Sequence, residues 1–494
     1  MRIAVLGTGY VGLVSGACFA AWGHDVTGVD IDRARVDRLN AGEVPIFEPG
    51  LADCILACRD LGRLAFTTDL QRALNHVDIV FIAVGTPAGL HDGEADLSHV
   101  FEAGRQIARA LCGPAVIVTK STVPVGTAER LEAVMREAAP DGDFVVSSNP
   151  EFLREGSAIQ DFNRPDRVVI GCDDRRAGAL LERLYAPLAA EGIRVVTTSR
   201  RSAELIKYAA NAFLATKIAF INEMADLCEK VNADVADIAL GMGLDRRIGA
   251  DFLKAGPGYG GSCFPKDTVA LLRTAQDSGV TLRLVEQTIA ANTARKHTLA
   301  RRLASLLGGS LRGRHIAVLG LTFKAETDDM RDAPAQTLIR CAVDAGATIS
   351  AYDPAGMDNA RRLLPEISFA ANPIDCATGA DALVVMTDWA CFRTLDLART
   401  GEVMRRRVIM DLRGLYDVDQ LVKQYRFTVD RVGMPLRSPE RSSRITLNPH
   451  ARRQSGALPV HNGFRNLETS DTASAMPGGS IPREEFVNEH NQTI

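Results

Sequence analysis

Short apolar runs recur along this chain, each closed by glycine or a polar turn. Residues 2–6 (RIAVL) form the first, and Val26–Val29, Asp78–Val84, Ala115–Thr119, Phe144–Ser147, Val168–Gly171 and Arg194–Thr197 continue the series. Runs such as Asp78–Val84 are continuous rather than alternating, the pattern of a strand buried on both faces. Ser202 to about Ala233 then reads as one helix with no glycine or proline; at ~1.5 Å per residue it spans roughly 45 Å. Further helices are expected at Val269–Asp277 and Leu284–Leu307. After a polar joint at Ser310–Arg314, the strand pattern returns at His315–Gly320, Ile349–Asp353, Ala382–Met386 and Val408–Asp411. From Ser438 the periodicity lapses into Ser, Arg, Asn, Pro and Gly, which predicts a mostly disordered tail. The pattern predicts an α/β protein with two doubly wound lobes, residues 1–199 and 310–437, around a helical segment, 200–309, with a tail at 438–494.

The first run ends in Gly7-x-Gly9-x-x-Gly12, followed by an Ala- and Gly-rich helical stretch to about Trp22, the strand Val26–Val29 and then Asp30. Strand, glycine turn, helix, strand and acid in this order are the fingerprint of a dinucleotide-binding Rossmann unit. Gly7 permits the tight turn, Gly9 admits a pyrophosphate, and Gly12 lets the helix pack closely. The helix N-terminus favours the anion. Asp30, 18 residues after Gly12, is placed to bond ribose hydroxyls and to repel a 2′-phosphate, which favours NAD over NADP; Arg33 and Arg35 blunt that preference. The second lobe carries Gly320 but no such fingerprint. It reads LTFKAETDDMRDAP instead, with Lys324 and Arg331, and so predicts a different, nucleotide-like ligand.

Candidate chemistry centres on FLKAGPGYGGSCFPKD, residues 252–267. Its four glycines and two prolines predict irregular backbone that approaches a ligand closely. Cys263 lies within it, with Lys254 and Lys266 as nearby positive charge to lower a thiol pKa of about 8.5. Thr86, Thr122 and Glu151 stand at successive strand ends, where open α/β sheets bind ligands. Lys207 and Asn211 share one face of the long helix. A nicotinamide, a thiol and a cleft lysine together predict two successive oxidations: alcohol to aldehyde, capture by the thiol, then thioester and acid. Lys207 and Asn211 fit the need for oxyanion stabilisation. Asp267 and Glu151 are the candidate bases.

Composition narrows the setting. The net charge of −4 over 494 residues gives no sign of a nucleic-acid surface. Ten scattered cysteines do not form a disulfide framework, and no second pair matches Cys54 and Cys58, so no metal site is expected. The opening MRIAVLGTGY lacks a signal peptide's apolar core, and no run is long enough to span a bilayer. A reducing cytoplasm is the expected compartment.

GTGYVG, VGTP, KSTVPVGT, NPEFLREGSA, ELIKYAANAFLATKIAFINE, GPGYGGSCFPKD and GLTFKAETDDMRDAP, in this order, resemble the UDP-glucose/GDP-mannose dehydrogenase family from Met1 to about Gly433. The resemblance implies an NAD-binding Rossmann domain, a central dimerisation domain and a UDP-sugar-binding Rossmann-like domain. It implies NAD-dependent four-electron oxidation of UDP-glucose to UDP-glucuronate by a homodimer or higher homo-oligomer. By resemblance Cys263 is the nucleophile, Lys207 and Asn211 stabilise oxyanions, and Thr122, Asp267 and Glu151 handle water and protons. Val11, Asp30, Arg35, Thr86, Thr122, Glu155, Lys266 and Arg331 are implied as NAD contacts. Glu151, Phe152, Leu153, Lys207, Asn211, Phe252, Leu253, Lys254, Ala255, Gly256, Gly260 and Lys324 are implied as contacts to the UDP-sugar. Tyr259 stands where the family most often has Phe. The alternatives are oxidation of GDP-mannose or UDP-N-acetylmannosamine and, outside enzymes, an NAD-sensing scaffold; SCFPKD with FLKAG resembles the UDP-glucose branch more closely.

Overall fold

The computed structural model describes residues 1–87 and 95–439. The tail expected from Ser438 therefore lies, from residue 440 onward, outside the described residues.

Two sheets, one mostly and one wholly parallel, carry the fold. The first orders its eight strands β3-β2-β1-β4-β5-β6-β7-β8. These are β1 (Arg2–Leu6), β2 (Asp25–Val29), β3 (Leu64–Thr67), β4 (Ile79–Ile82), β5 (Ala115–Thr119), β6 (Phe144–Ser148), β7 (Arg167–Gly171) and β8 (Arg194–Thr198). β6 and β7 meet antiparallel at Ser148 and Gly171, so the last two strands run against the other six. The second sheet orders six parallel strands β11-β10-β9-β12-β13-β14. These are β9 (His315–Leu319), β10 (Thr348–Tyr352), β11 (Ser368–Phe369), β12 (Ala382–Val385), β13 (Val408–Asp411) and β14 (Thr428–Arg431). Both lobes thus repeat one doubly wound order, reversing beside β1 in the first and beside β9 in the second, where such sheets open a crevice for ligands.

Alternation along each strand builds a core on both faces. In β1, Ile3 and Val5 join one cluster, and Ala4 and Leu6 join the cluster on the other face. In β9, Ile316 and Val318 face one way, and Ala317 and Leu319 the other. β3, β11 and β14 were not expected from the sequence. Each has four residues or fewer and none is apolar throughout.

Between the sheets runs one helix of 32 residues, Arg200–Val231, capped by the Ser199 side chain and closed by Asn232 in the left-handed region (φ 60°). Glu204 ties it to the first lobe. The carboxylate accepts from the backbone N–H groups of Gly126 (2.6 Å) and Ala128 (2.9 Å) and from the Ser148 hydroxyl (3.2 Å). Those amides open the helix Thr127–Ala138, where free N–H groups and the dipole favour a carboxylate. The helix that follows the cysteine loop is a correction to the expected pattern. It spans Phe264–Asp277 and begins directly after Cys263, with Pro265 in its first turn, where a missing N–H costs nothing. Lys266 and Asp267 are therefore helical. A further helix, Arg283–Leu306, packs against this one and against the long helix.

Glu204 is 3% exposed, so removing its carboxylate strands buried N–H donors. Glu204→Ala is expected to lower the unfolding free energy by about 3 kcal/mol in denaturant titration. A change below about 0.5 kcal/mol, the range of ordinary surface substitutions, would show that the anchor is dispensable.

Candidate active site

The cofactor crevice begins at the turn after β1. Gly7 holds φ +94°, and a Cβ there would lie 2.6 Å from the Ala83 carbonyl oxygen. A Cβ on Gly12 would lie 1.8 Å from the Gly7 carbonyl oxygen, so Gly12 serves the turn itself as well as the packing. Gly9 has open space where its Cβ would stand, leaving the first-turn N–H groups of the helix Tyr10–Ala21 approachable. Val11 packs its side chain on the first lobe's core. Asp30 ends β2. Its Oδ2 accepts from the Thr8 N–H (2.8 Å) and hydroxyl (2.7 Å), and Arg35 stands 3.5 Å away. Burial opposes ionisation, but the bonds from Asp32 and Thr8 and the Arg35 charge hold this carboxyl below its usual range. An open glycine turn and an ionised carboxylate fit a dinucleotide with a free ribose 2′-hydroxyl. Thr86, after β4, donates to the Thr122 carbonyl at 3.0 Å.

The corresponding acid of the second lobe is spent internally. Asp353 follows β10 and is 1% exposed. Its Oδ2 accepts from the Leu321 N–H (2.7 Å) and the Thr322 hydroxyl (3.1 Å), and its Oδ1 accepts from the Gly356 N–H (2.7 Å). It holds the turn after β9 and leaves no edge for a ribose, so the two lobes share a topology without sharing a ligand mode.

Reactive groups gather where the first lobe meets the long helix. Lys207 and Glu151, 3% and 6% exposed, pair at 3.1 Å. Burial pulls Lys207 down and Glu151 up, but each other's charge wins, so Lys207 stays protonated and Glu151 ionised. The Leu153 N–H also donates to Glu151 (2.5 Å). The Phe152 ring lies 5.3 Å from the Lys207 ammonium, and the Arg167 guanidinium stacks on that ring at 3.7 Å. One turn along the helix, Asn211 donates to Asp267 Oδ2 at 2.6 Å, and Lys266 reaches Asp267 Oδ1 at 2.5 Å. Ser121, Thr122, Ser148, Glu204 and Lys207 border a cavity of about 10 Å³, room for roughly one water.

Cys263 is the N-cap of the helix Phe264–Asp277, so its sulfur stands at the positive end of a helix dipole. The lysines expected to activate it are elsewhere: Lys254 pairs with Asp388 (2.7 Å) and Lys266 with Asp267. Burial pushes the thiol pKa up, Lys207 acts against that, and Glu151 and Asp267 add to it. The expected local lowering by Lys254 and Lys266 is therefore replaced by a half-buried thiol whose electrostatic partner is Lys207.

A second set of contacts ties the three segments together at Glu155. Ser262 lies 3.5 Å from the Cys263 sulfur and donates to Glu155 Oε1 at 3.1 Å. Thr327 donates to Glu155 Oε2 at 2.8 Å, Arg331 stands 3.6 Å from its carboxylate, and Lys324 donates to its backbone carbonyl. Burial, then the charge of Asp329, pushes the Glu155 carboxyl up to about 7. Phe252, Glu326 and Asp332 hold left-handed φ values of 64°, 60° and 50°, strain of the kind that collects at functional sites. Leu253 and Ala255 anchor their loop in the second lobe's core. Gly256 and Gly260 touch the second lobe; a Cβ on Gly260 would lie 2.4 Å from the Asp332 carbonyl oxygen.

Sequence reasoning passed over Ser262 and Lys120. Lys120 directly follows β5, a position that could have flagged it. It is fully buried, donates to Asn149 Oδ1 at 3.0 Å, and is lowered to about 8 by burial, with Glu151 opposing and Lys207 adding to the shift.

Residues 1–189 match the NAD binding domain of the UDP-glucose/GDP-mannose dehydrogenase family, residues 201–294 its central domain, and residues 317–418 its UDP binding domain. The chain is 54% identical over 437 residues to a "UDP-glucose 6-dehydrogenase" of Rhizobium meliloti (strain 1021), covering 88% of this chain and 100% of that one. A UDP-glucose dehydrogenase structure from Pyrobaculum islandicum is 38% identical with a TM-score of 0.79, covering 84% of this chain and 94% of that one. A UDP-D-ManNAc dehydrogenase structure from Pyrococcus horikoshii is 27% identical with a TM-score of 0.77, covering 88% and 99%. The chain belongs to the UDP-glucose/GDP-mannose dehydrogenase family.

Glu155 yields a pH prediction. Its folded pKa, about 7, lies above its unfolded value, so folding is penalised as pH rises from the unfolded value toward 7 and by a constant amount above. Glu155→Gln should therefore raise Tm relative to the parent more at pH 8 than at pH 4. An equal difference at both pH values would place the carboxyl in an ordinary environment.

Proposed function

We propose that this member of the family oxidises the C6 hydroxymethyl group of UDP-glucose to the carboxylate of UDP-glucuronate, with Cys263 holding the carbon between two oxidations. The observation that carries the reading is the position of the Cys263 thiol at a helix N-terminus, in the electrostatic field of the buried Lys207–Glu151 pair. Bound NAD, seated by Gly7, Gly9, Gly12 and Asp30, supplies hydride acceptance, so that two NAD⁺ become two NADH for each acid. Val11, Arg35, Thr86, Thr122, Glu155, Lys266 and Arg331 are assigned as its further contacts.

The chain's own groups carry the rest. A buried carboxylate, Asp267 or Glu151, takes the C6 hydroxyl proton as the aldehyde forms. Lys207 and Asn211 stabilise the negative charge that develops on that oxygen. The Cys263 sulfur adds to the aldehyde carbon and forms a C–S bond, and its proton has a path through Ser262 to Glu155. The oxygen takes a proton to give the thiohemiacetal. The second oxidation removes that proton and the remaining C6 hydride, leaving a thioester. Water, deprotonated with help from Thr122 and a carboxylate, adds to the carbonyl carbon; the C–S bond breaks and the thiolate leaves. The balance is one alcohol, one water and two NAD⁺ giving one carboxylate, two NADH and three protons.

Phe152, Leu153, the Phe252–Gly256 run, Gly260 and Lys324 suit the UDP-sugar, between the thiol loop and a second lobe that lacks the dinucleotide fingerprint. Oxidation of GDP-mannose or UDP-N-acetylmannosamine is the weaker alternative: the UDP-D-ManNAc dehydrogenase is 27% identical, against 54% for the UDP-glucose 6-dehydrogenase. We place the domain boundaries at residues 199/200, 309/310 and 437/438. We assign the chain to the cytoplasm on the free state of its ten cysteines. Among the described residues no helix is long and apolar enough to cross a membrane.

We assign the long helix to a homodimer interface. Phe213, Phe220 and Leu227 recur every seventh residue on it and are 66%, 42% and 52% exposed, more apolar surface than a solvated face carries. Light scattering at micromolar concentration should report at least a dimer, and Phe213→Asp should shift it toward monomer. A monomeric parent protein would remove this assignment.

The stoichiometry tests the chemistry. The parent chain should yield two NADH per UDP-glucuronate without free aldehyde. Cys263→Ala should bind NAD and UDP-glucose while losing acid formation by several orders of magnitude. Lys207→Ala should cost about 10²–10³ in rate. One NADH per UDP-glucose consumed with free aldehyde as the product, or near-normal acid production by Cys263→Ala, would reduce the cysteine to a packing residue.

A further inference from the structure

The segment before Cys263 has no regular structure, so its backbone polar groups need partners elsewhere. Three side chains on the helix Arg283–Leu306 supply them, directly or through a neighbouring turn. Asn292, Arg295 and Lys296 stand at i, i+3 and i+4 and are 6%, 9% and 5% exposed. None is used in the chemistry above.

Asn292 acts as a single rung of a β-ladder. Its Oδ1 accepts from the Tyr259 N–H at 2.8 Å, and its Nδ2 donates to the Tyr259 carbonyl at 3.1 Å. The neighbouring Gly258 has φ +116°, and a Cβ there would lie 2.8 Å from Asn292 Oδ1. The amide fits because residue 258 has no side chain. Arg295 donates to the Gly256 carbonyl at 2.6 Å, and Asn222 of the long helix accepts from the Gly256 N–H at 2.8 Å. Lys296 donates to the Asp332 carbonyl (3.0 Å) and carboxylate (2.7 Å), holding that residue at φ 50°. The preceding carbonyl, of Arg331, accepts from the Gly261 N–H at 2.8 Å. The loop is thus gripped at Gly256, Tyr259 and Gly261, ever closer to the thiol. Among the described residues, the three helix side chains make no hydrogen bond to Cys263, Lys207 or Glu151.

We propose that Asn292 is a positioning residue of the reaction: its paired bonds to Tyr259 fix the loop register that sets the Cys263 sulfur against Lys207, with Lys296 bracing the other edge through Asp332. This rests on the role given above to Cys263 in the second oxidation. The first oxidation needs the alcohol, the cofactor and a base, and is indifferent to the sulfur. Capture of the aldehyde needs the sulfur within bonding reach of one carbon. A displacement of ~1 Å can cost about 10²-fold in rate. Loosening the loop therefore penalises capture selectively, and aldehyde escapes.

The full chain and its Asn292→Ala, Asn292→Asp and Gly258→Ala variants are compared in two assays. The first counts NADH and acid from UDP-glucose and NAD, with a hydrazine to trap aldehyde. The second follows alkylation of Cys263 by iodoacetamide against pH, by peptide mass spectrometry, without substrate or cofactor. Asn292→Ala and Gly258→Ala should keep KM for NAD near the parent value and lower acid-forming kcat by about 10²-fold. Their NADH-to-acid ratio should rise above the parent's. The alkylation midpoint should move upward as the sulfur leaves Lys207, slowing the reaction about tenfold at neutral pH relative to its own alkaline plateau. Asn292→Asp keeps the acceptor for the Tyr259 N–H but loses the donor to its carbonyl, and should shift the ratio and the alkylation midpoint in the same direction, which keeps the test open if the alanine variants do not fold. An unchanged ratio and an unchanged alkylation profile, with only a lower Tm, would overturn the proposal and leave the asparagine a purely structural residue. A parent that releases one NADH per UDP-glucose consumed, with aldehyde and no acid, would overturn the reading of Cys263 instead, and the alkylation profile would still decide whether Asn292 positions the sulfur.

Discussion

Charge taken out of water must be paired, and this protein buries an ammonium and two carboxylates around one thiol. An ion moved into the interior unpaired costs several kcal/mol, and breaking a buried pair costs about 3–5 kcal/mol. Lys207 answers Glu151 across 3.1 Å, and Asp267 is held between Asn211 and Lys266. The partners come from distant parts of the chain: the end of β6, the long helix, and the first turn of the helix behind Cys263. None of these elements can shift alone without stranding a charge. The pairing that makes the lysine a permanent cation also supplies the field in which the thiol sits.

The same logic joins the remaining contacts. Glu155, on the loop that follows β6, collects Ser262 from the thiol loop and Thr327 and Arg331 from the second lobe. Lys254 crosses from the thiol loop to Asp388. Left-handed backbone at Phe252, Glu326 and Asp332 marks where the segments are pressed together. The order of the second sheet duplicates that of the first, yet Asp353 is consumed in holding its own turn where Asp30 remains available. A duplicated scaffold thus offers two crevices of different chemistry, one suited to a dinucleotide and one to another ligand, with the thiol loop tying them together.

Much of this was legible in the sequence because the signals were local. The glycine turn, the strand runs, and the pair Lys207 and Asn211 on one helix face all follow from spacing. What escaped depended on contacts between distant segments. Helix geometry puts Cys263 at an N-terminus, but the glycine-rich approach hid where that helix starts. Lys254 and Lys266 are adjacent to the thiol in sequence and committed to carboxylates in space. Lys120 and Asn292 read as ordinary polar residues because only the folded neighbours, Asn149 for one and Tyr259 for the other, reveal that they are buried and bonded. β3, β11 and β14 are too short to carry a pattern of their own.

The covalent role of Cys263 is open to direct observation. Rapid acid quench of Glu151→Gln during turnover with UDP-glucose and NAD, followed by peptide mass spectrometry, should find the UDP-glucuronyl group attached to the peptide that contains Cys263 and to no other cysteine. Two NADH per acid with no adduct on that peptide at any quench time, or an adduct on another cysteine, would contradict a thioester at Cys263.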